Sequence, residues 1–301
     1  MFGRQAAWGV PPRESRSSSP TVTVVIPTYN EAANLPMVLD ALPEDIWELM
    51  VVDGWSTDGT VEVARQLRPD VRIVHQTRRG KGNALACGFS HARGDIVVMI
   101  DADGSTDPRE IPRFLQALTD GADYAKGSRF ASGGTSHDIT PVRKVGNVFL
   151  NTIVNVLYRT RYTDLCYGYN AFWRDVLPVL DLNCGEKALA MHWGDGFEIE
   201  TILNVRAAKA GLRIVEIPSV EQPRIHGESK LNAVRDGLRI LRVIATEYRN
   251  PPPYQAEPAQ APEKPRGRWT PTGVADADTR AVPVGQLEVD DREDEERSGA
   301  A

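Results

Sequence analysis

The chain has 301 residues, of which 41% are hydrophobic and 25% are charged, and these fractions are typical of a soluble globular protein. The net charge of -6 argues against a nucleic-acid-binding protein, and residues 251–301, with 11 acidic and 6 basic side chains, carry most of it. No apolar run is long enough for a transmembrane helix, and the N-terminus has no signal-peptide core. We therefore expect a cytoplasmic protein, acting in solution or peripherally at the cytoplasmic face of a membrane. The three cysteines form no zinc pattern.

Composition divides the chain into three segments. Residues 1–20 are rich in Ser, Arg, Gly and Pro, and residues 251–301 run from a Pro-rich start to an acidic end, so both are predicted to be disordered. Between them, residues 21–250 are predicted to form one α/β domain, because short β-branched runs alternate with helical stretches. The predicted strands are 22–26, 49–52, 71–74 and 96–100. The predicted helices are 31–42, 57–67, 83–92 and 108–118, the last capped by Asp107.

Polar, turn-forming residues follow each of the four predicted strands. They are PTYNE at 27–31, VVDGWSTDGT at 51–60, RRGKGNAL at 78–85 and DADGSTDP at 101–108. Ligands of doubly wound sheets bind at the carboxyl ends of the strands. The sequence therefore predicts one crevice that is lined by all four motifs.

The Asp pair of the fourth motif is the sharpest signal. Asp101 and Asp103 are two positions apart, so their carboxylates point the same way from an extended segment and can hold one cation. Oxygen ligands suit Mg²⁺ or Mn²⁺, and Mg²⁺ prefers one or two carboxylates together with phosphate oxygens. The pair ends a buried strand beside three other polar strand ends. We therefore predict a metal site for a diphosphate leaving group, with a solvated turn as the alternative.

The third motif contains Gly80, Lys81 and Gly82, where glycines let the backbone approach a phosphate and the lysine adds charge. An ordinary loop-to-helix turn is the alternative. In the second motif, Asp53 is placed to accept hydrogen bonds from a nucleobase or from sugar hydroxyls.

In this order the motifs resemble those of glycosyltransferase family 2, and in particular its dolichyl- or polyprenyl-phosphate sugar synthase branch, over residues 21–248. The resemblance implies the GT-A fold, a Rossmann-like mixed sheet flanked by helices, and a GDP- or UDP-linked sugar donor. The residues that it implies for nucleotide-sugar binding are Pro27, Tyr29, Glu31, Asp53, Lys81, Gly82, Asp101, Ala102 and Asp103. The chain departs from the family at Gly54, where a second Asp is usual, and from the branch at Ser105, where Gln often serves as a third metal ligand.

The second half of the domain resembles the acceptor side of this branch, through KGSRF, PVRKVGN, TDLCYGYNAF, GDGFEIE and QPRIHGESKLN. The residues implied for an acceptor phosphate are Arg129, Arg143, Arg224, Ser229 and Lys230. Arginine forks match phosphate oxygens, although surface salt bridges are the alternative use of these side chains. Arg129, Arg224 and Lys230 are also predicted to act at the catalytic centre.

The predicted reaction is one in-line displacement at the anomeric carbon, with inversion. A polyprenyl phosphate is the expected acceptor because of this set of basic residues, and its oxygen is already anionic and needs no strong general base. A hydroxyl acceptor, on a polysaccharide or a small molecule, would need a carboxylate base, for which Asp195 and Asp164 are the candidates. A nucleotidyltransferase and a non-catalytic sugar-binding protein are weaker alternatives, because PTYNE replaces the glycine-rich loop of the former and the Asp pair is intact.

Residues 143–161 predict an amphipathic helix with basic residues at both ends. Its apolar face comprises Phe149, Ile153, Val156 and Leu157, and its polar face Asn147, Asn151 and Asn155. Such a helix lies in the headgroup layer of a membrane or packs on the protein's own sheet. A second predicted helix, 231–249, has an arginine stripe that anionic lipids would attract or that water would solvate: Arg235, Arg239 and Arg242.

Overall fold

Strands and helices alternate along the first half of the domain, as the sequence predicts. The structure, a computed structural model, describes residues 16–188, 190–227 and 233–250. In chain order the strands are β1 (Val22–Thr28), β2 (Glu48–Asp53), β3 (Arg72–His75), β4 (Ile96–Met99), β5 (Tyr124–Ser128), β6 (Thr135–Ser136), β7 (Asn170–Trp173), β8 (Ile214–Pro218) and β9 (Val220–Glu221). The helices are α1 (Leu35–Asp40), α2 (Thr60–Leu67), α3 (Lys81–His91), α4 (Ile111–Thr119), α5 (Pro141–Tyr158), α6 (Leu177–Leu180), α7 (Ile199–Lys209) and α8 (Ala233–Arg249).

The central sheet has seven strands in the order β3-β2-β1-β4-β7-β5-β8, and β6 pairs separately with β9. Strand β7 is antiparallel to both of its neighbours, and the other pairs are parallel. Helices flank this mixed sheet, so the predicted fold class is confirmed. The inner strands are apolar along their length because they are covered on both faces, and Val24, Met50 and Val98 are fully buried.

The predicted cap at Asp107 is present, but the first predicted helix has other bounds. The Asp107 side chain accepts a hydrogen bond from the backbone N–H of Arg109, as expected of a cap. The first predicted helix, 31–42, is shorter than expected. The backbone N–H groups of Asn34 and Leu35 both donate to the Glu31 carbonyl, which makes a turn before α1 begins.

The described residues begin inside the N-terminal segment that is predicted to be disordered, at residues 16–20, and Arg16 contacts the domain there. Arg16 is mostly buried, and its guanidinium lies 2.7 Å from Asp123 and 2.8 Å from Asp175. It also lies 5.0 Å from the ring centroid of Trp173. These contacts attach the chain to the ends of β5 and β7 before β1 begins. The predicted disordered residues 1–15 and 251–301 lie outside the described part of the chain.

Helix α5 divides the predicted apolar face: Ile153 and Leu157 pack against the buried Leu150 and Val154, whereas Phe149 and Val156 are exposed. Asn147 and Asn151 are buried, and the Asn151 amide donates to the carbonyl of Thr163 at 2.6 Å. By contrast, Phe149 is 56% exposed and Val156 is 73% exposed. The asparagines face inward because they bind the backbone of the adjacent loop, which has no strand to pair with. In the described ranges no helix has the length and hydropathy to cross a bilayer.

Candidate active site

The carboxyl ends of β1, β2, β3 and β4 open onto one cavity of about 1390 Å³. Each strand-end motif contributes to its lining, and the wall continues onto α5 and α8. Pockets for one small ligand usually measure roughly 300–1,000 Å³, so this cavity has room for two substrates. The crevice that the four motifs predict is therefore present.

A lysine and a buried glutamate accompany the first aspartate of the pair. The Lys81 ammonium lies 2.5 Å from a carboxylate oxygen of Asp101 and 2.7 Å from one of Glu200. Burial alone would lower the pKa of Lys81, but the charges of Asp101 and Glu200 raise it above its ordinary value. The lysine therefore keeps its positive charge at neutral pH inside the cavity. Glu200 was not predicted from the sequence, although it lies in the GDGFEIE motif.

The second aspartate is connected to the acceptor side. The Arg224 guanidinium lies 3.1 Å from Asp103 and 3.1 Å from Glu31, so it joins the first and fourth motifs to a segment far along the chain. The backbone N–H of Ser105 donates to the other carboxylate oxygen of Asp103 at 3.0 Å. These contacts hold the Asp103 side chain at the cavity wall.

The donor set fits a hard divalent cation. Both aspartates line the cavity, and no group of three His, Cys, Asp or Glu ligands is found in the described ranges. A pair of carboxylates with phosphate oxygens completing the shell is the arrangement that Mg²⁺ usually adopts. Asp101 and Asp103 are thus the residues that would hold such an ion.

Comparisons with known proteins agree with this geometry. Residues 23–180 match the model of glycosyl transferase family 2. The chain belongs to glycosyltransferase family 2. It is 35% identical over 233 residues to an undecaprenyl-phosphate mannosyltransferase of Micrococcus luteus, covering 74% of this chain and 92% of that protein. It is 36% identical over 241 residues to a polyprenol monophosphomannose synthase of Mycolicibacterium smegmatis, covering 76% of this chain and 87% of that protein.

A solved structure supports the fold of the family 2 domain. It is the glucosyl-3-phosphoglycerate synthase of Mycobacterium tuberculosis, crystallised with Mn²⁺, UDP and phosphoglyceric acid. The TM-score is 0.61, and the match covers 83% of this chain and 86% of that one, with 20% sequence identity. The chain is thus a glycosyltransferase with the GT-A fold.

In this family 2 chain the glycines of the Gly-Lys-Gly turn have a packing role. A Cβ on Gly82 would lie 1.8 Å from the carbonyl oxygen of Gly194, and one on Gly80 would lie 2.0 Å from that of Asp195. The backbone N–H of Gly82 donates to the Asp195 carbonyl at 2.8 Å. Phosphate contact by Gly82 stays a prediction; its N–H has a backbone partner, and Gly82 does not line the large cavity.

Arg129 lies on the cavity wall, and its guanidinium is ion-paired on two sides. It donates to both carboxylate oxygens of Asp164, at 2.7 and 2.9 Å, and to Glu221 at 3.0 Å. Burial alone would raise the pKa of Asp164, but the hydrogen bonds and charge of Arg129 lower it. This ion triad fixes the Arg129 side chain and disfavours proton uptake by Asp164. The catalytic and acceptor-binding roles of Arg129 and the general-base role of Asp164 stay predictions.

Asp195, the other candidate general base, is also ion-paired. Its two carboxylate oxygens accept from Arg78 at 2.8 and 2.9 Å, and it lies outside the lining of the large cavity. The general-base role of Asp195 stays a prediction, and this ion pair does not favour it. Arg78 was not predicted as its partner, because 117 residues separate the two in the chain.

The remaining predicted donor-side residues come from the first, second and fourth motifs. Pro27, Tyr29 and Ala102 line the cavity, whereas Asp53 is buried beneath it. One Asp53 carboxylate oxygen accepts from the backbone N–H of Ser56 at 3.1 Å, and within the described ranges the other oxygen has no hydrogen-bond partner. Nucleobase recognition by Asp53 stays a prediction.

The remaining acceptor-side residues divide into two groups. Arg143 lines the cavity and forms an exposed ion pair with Asp138 at 3.3 Å. Ser229 and Lys230 lie outside the described residues. Among the described residues, the predicted acceptor-side cations that line the cavity are thus Arg129, Arg143 and Arg224.

Proposed function

We propose that the chain transfers a sugar from a GDP- or UDP-linked donor to a polyprenyl phosphate, with inversion at the anomeric carbon. The observation that carries this proposal is one cavity that joins the pair Asp101 and Asp103 to Arg143 on α5. A nucleoside diphosphate and a lipid phosphate are both anionic, and each end of the cavity offers a separate way to bind an anion. The names of the Micrococcus and Mycolicibacterium relatives support this class of acceptor.

On the donor side we infer that Tyr29, Lys81 and the Asp101–Asp103 turn contact the nucleotide sugar. Mg²⁺ or Mn²⁺ on the aspartate pair would stabilise the negative charge of the departing nucleoside diphosphate. Lys81 holds a persistent positive charge against Asp101, which suits the same leaving group. The Mn²⁺ and UDP in the mycobacterial crystal structure support this assignment.

On the acceptor side we infer that Arg143 orients the lipid phosphate. Its partner Asp138 is 42% exposed at the side chain, so a phosphate can compete for the guanidinium at little cost. A phosphate oxygen attacks as an anion, and this removes the need for a general base. The ion pairs of Asp164 with Arg129 and of Asp195 with Arg78 support this choice of acceptor, because both candidate bases are already paired with an arginine.

We also propose peripheral contact with a membrane through α5. Its outward side carries exposed apolar residues at the spacing of one helical stripe: Val142, Val145, Phe149 and Val156. Arg143 and Arg159 lie near its two ends, where anionic headgroups would attract them. Contact of this kind would bring the cavity to the lipid acceptor.

A donor and acceptor screen tests the proposed function. Purified protein with Mg²⁺ or Mn²⁺ is incubated with a panel of nucleotide sugars and farnesyl phosphate, and mass spectrometry identifies the products. We expect a glycosyl farnesyl phosphate from one donor of the panel. A protein that ignores every prenyl phosphate but glycosylates a neutral hydroxyl acceptor would refute the proposed acceptor.

A further inference from the structure

Two of the three cysteines lie side by side in the fold. Cys87 lies on α3, and Cys184 lies in the connection between α6 and α7. Both thiols are free, and the Cys184 side chain is a hydrogen-bond partner of the Cys87 thiol. The fold therefore brings together two thiols that are far apart in the sequence.

The same two polar residues contact both cysteines. The Thr77 hydroxyl lies 3.7 Å from the Cys87 sulfur and donates to the Cys184 carbonyl. The side-chain oxygen of Asn83 also lies 3.7 Å from the Cys87 sulfur, and its amide nitrogen donates to the Cys184 carbonyl at 3.0 Å. These contacts hold the backbone of Cys184 next to the Cys87 side chain, in addition to the contact between the thiols themselves.

The two thiols differ in their access to solvent. Cys87 is 1% exposed, and burial raises the pKa of its thiol, so a reagent in solution reaches it slowly. Cys184 is only half-buried. An accessible thiol beside a second cysteine that can resolve its oxidised form is the usual arrangement of an oxidation-sensitive pair. An oxidant would therefore reach Cys184 first.

We propose that Cys87 and Cys184 form a disulfide when a hydroperoxide oxidises Cys184, and that this bond restrains the cavity wall that follows Cys184. The Cys184 sulfur, after loss of its proton, attacks the O–O bond and becomes a sulfenic acid, and with hydrogen peroxide the other oxygen leaves as water. The Cys87 sulfur then attacks the sulfenic sulfur, the S–S bond forms, and the hydroxyl leaves with the Cys87 proton as a second water. The two thiols lose two electrons in all, and these reduce the peroxide.

The disulfide would attach α3 to part of the wall of the large cavity. Lys187, Ala188 and Met191 come soon after Cys184 and line this cavity. In the reduced protein, noncovalent contacts hold this segment, and one of them is the hydrogen bond from the Ala188 backbone N–H to the Thr77 carbonyl at 3.1 Å. Local opening must break such contacts. A covalent bond at Cys184 shortens the segment that can move away, so opening should become rarer.

Mass spectrometry after brief treatment with hydrogen peroxide tests the pair. We expect wild type to lose the mass of two hydrogen atoms and to give, after proteolysis without reductant, a peptide joined through Cys87 and Cys184. Dithiothreitol should reverse both changes. Cys87→Ala should instead accumulate a sulfenic acid at Cys184, which dimedone traps. The matched control Cys166→Ser keeps both members of the pair and should form the same disulfide.

Hydrogen exchange measures the effect on the cavity wall. The backbone amides of Lys187, Ala188 and Met191 should exchange about tenfold or more slowly in oxidised than in reduced wild type, and Cys184→Ser should show no such difference. If peroxide gives no peptide joined through Cys87 and Cys184 in wild type or in the control, the pair does not form. If the disulfide forms and the exchange rates stay equal, the bond does not restrain the wall. Both measurements use the protein without substrates, so either failure is distinct from a failure of the proposed sugar transfer.

Discussion

Replacing Arg129 by Met distinguishes a structural arginine from one that binds substrate. The substitution keeps most of the side-chain volume but removes the charge that pairs with Asp164 and Glu221, both buried. Breaking a buried ion pair by removing one partner costs about 3–5 kcal/mol, because the other charge is left uncompensated. In a domain of this size each kcal/mol lowers the melting temperature by roughly 2–4 °C, so we expect a loss of roughly 6–20 °C.

The assay is thermal unfolding of Arg129→Met, wild type and the control Arg143→Met, followed by steady-state kinetics below the melting temperature. The control removes an ion pair with the half-exposed Asp138, which contributes about 0–1 kcal/mol, so its melting temperature should barely change. Its KM for farnesyl phosphate should rise about 10- to 150-fold, the value of a charge-assisted hydrogen bond. Arg129→Met should instead have a lower melting temperature and keep the wild-type KM for farnesyl phosphate.

One result would refute this reasoning. If Arg129→Met has the wild-type melting temperature but a raised KM for the acceptor, the guanidinium binds the substrate and the triad contributes little to stability. A double variant sharpens the test. Adding Asp164→Asn to Arg129→Met should recover part of the lost stability, because it removes one of the unpaired carboxylates. No recovery would mean that Arg129 and Asp164 act independently.

Two further predictions concern metal and pH. Replacing Asp101 or Asp103 by Asn should lower turnover by about 10²-fold or more, and EDTA should do the same to wild type, as measured by product formation; unchanged turnover in either case would remove the metal hypothesis. Because the pKa of Asp164 is lower in the folded protein than its unfolded value of about 3.9, its contribution to stability is present above that pH and is lost as the pH falls below it. The melting temperature of wild type should therefore fall more steeply with acid than that of Asp164→Asn, and parallel curves would contradict the assigned pKa.

The parts of the fold and site that could be predicted from the sequence depend on local patterns. Strands β1 to β4 are short β-branched runs, and such runs are distinctive because both faces of each strand are covered. The cavity follows from them, because parallel strands bring their carboxyl ends to one edge. Asp101 and Asp103 could be assigned to that edge since they directly follow β4. Each of these inferences uses neighbours in the chain.

The contacts that the sequence did not indicate depend on partners that are distant in the chain. Arg129 pairs with a carboxylate 35 residues away, and Asp195 pairs with Arg78 across 117 residues. Residue type and motif position do not indicate whether a charged side chain is already paired in the fold. The inward position of the α5 asparagines has a related cause. They bind the backbone of the loop at 162–163, and periodicity alone does not show which face of a helix packs inward.

The cavity wall comes from two parts of the chain. Residues 23–180, which match the family model, contain the Asp pair, Lys81 and the PTYNE motif. Glu200, Arg224 and the α8 residues of the wall come later in the chain. Arg224 contacts Asp103 and Glu31, so the later segment also contributes to the end of the cavity that holds the Asp pair. Under the proposed function, substitutions of the α8 residues that line the cavity should alter acceptor preference first, because the carboxylates and the lysine at the other end belong to the preceding strands and their turns.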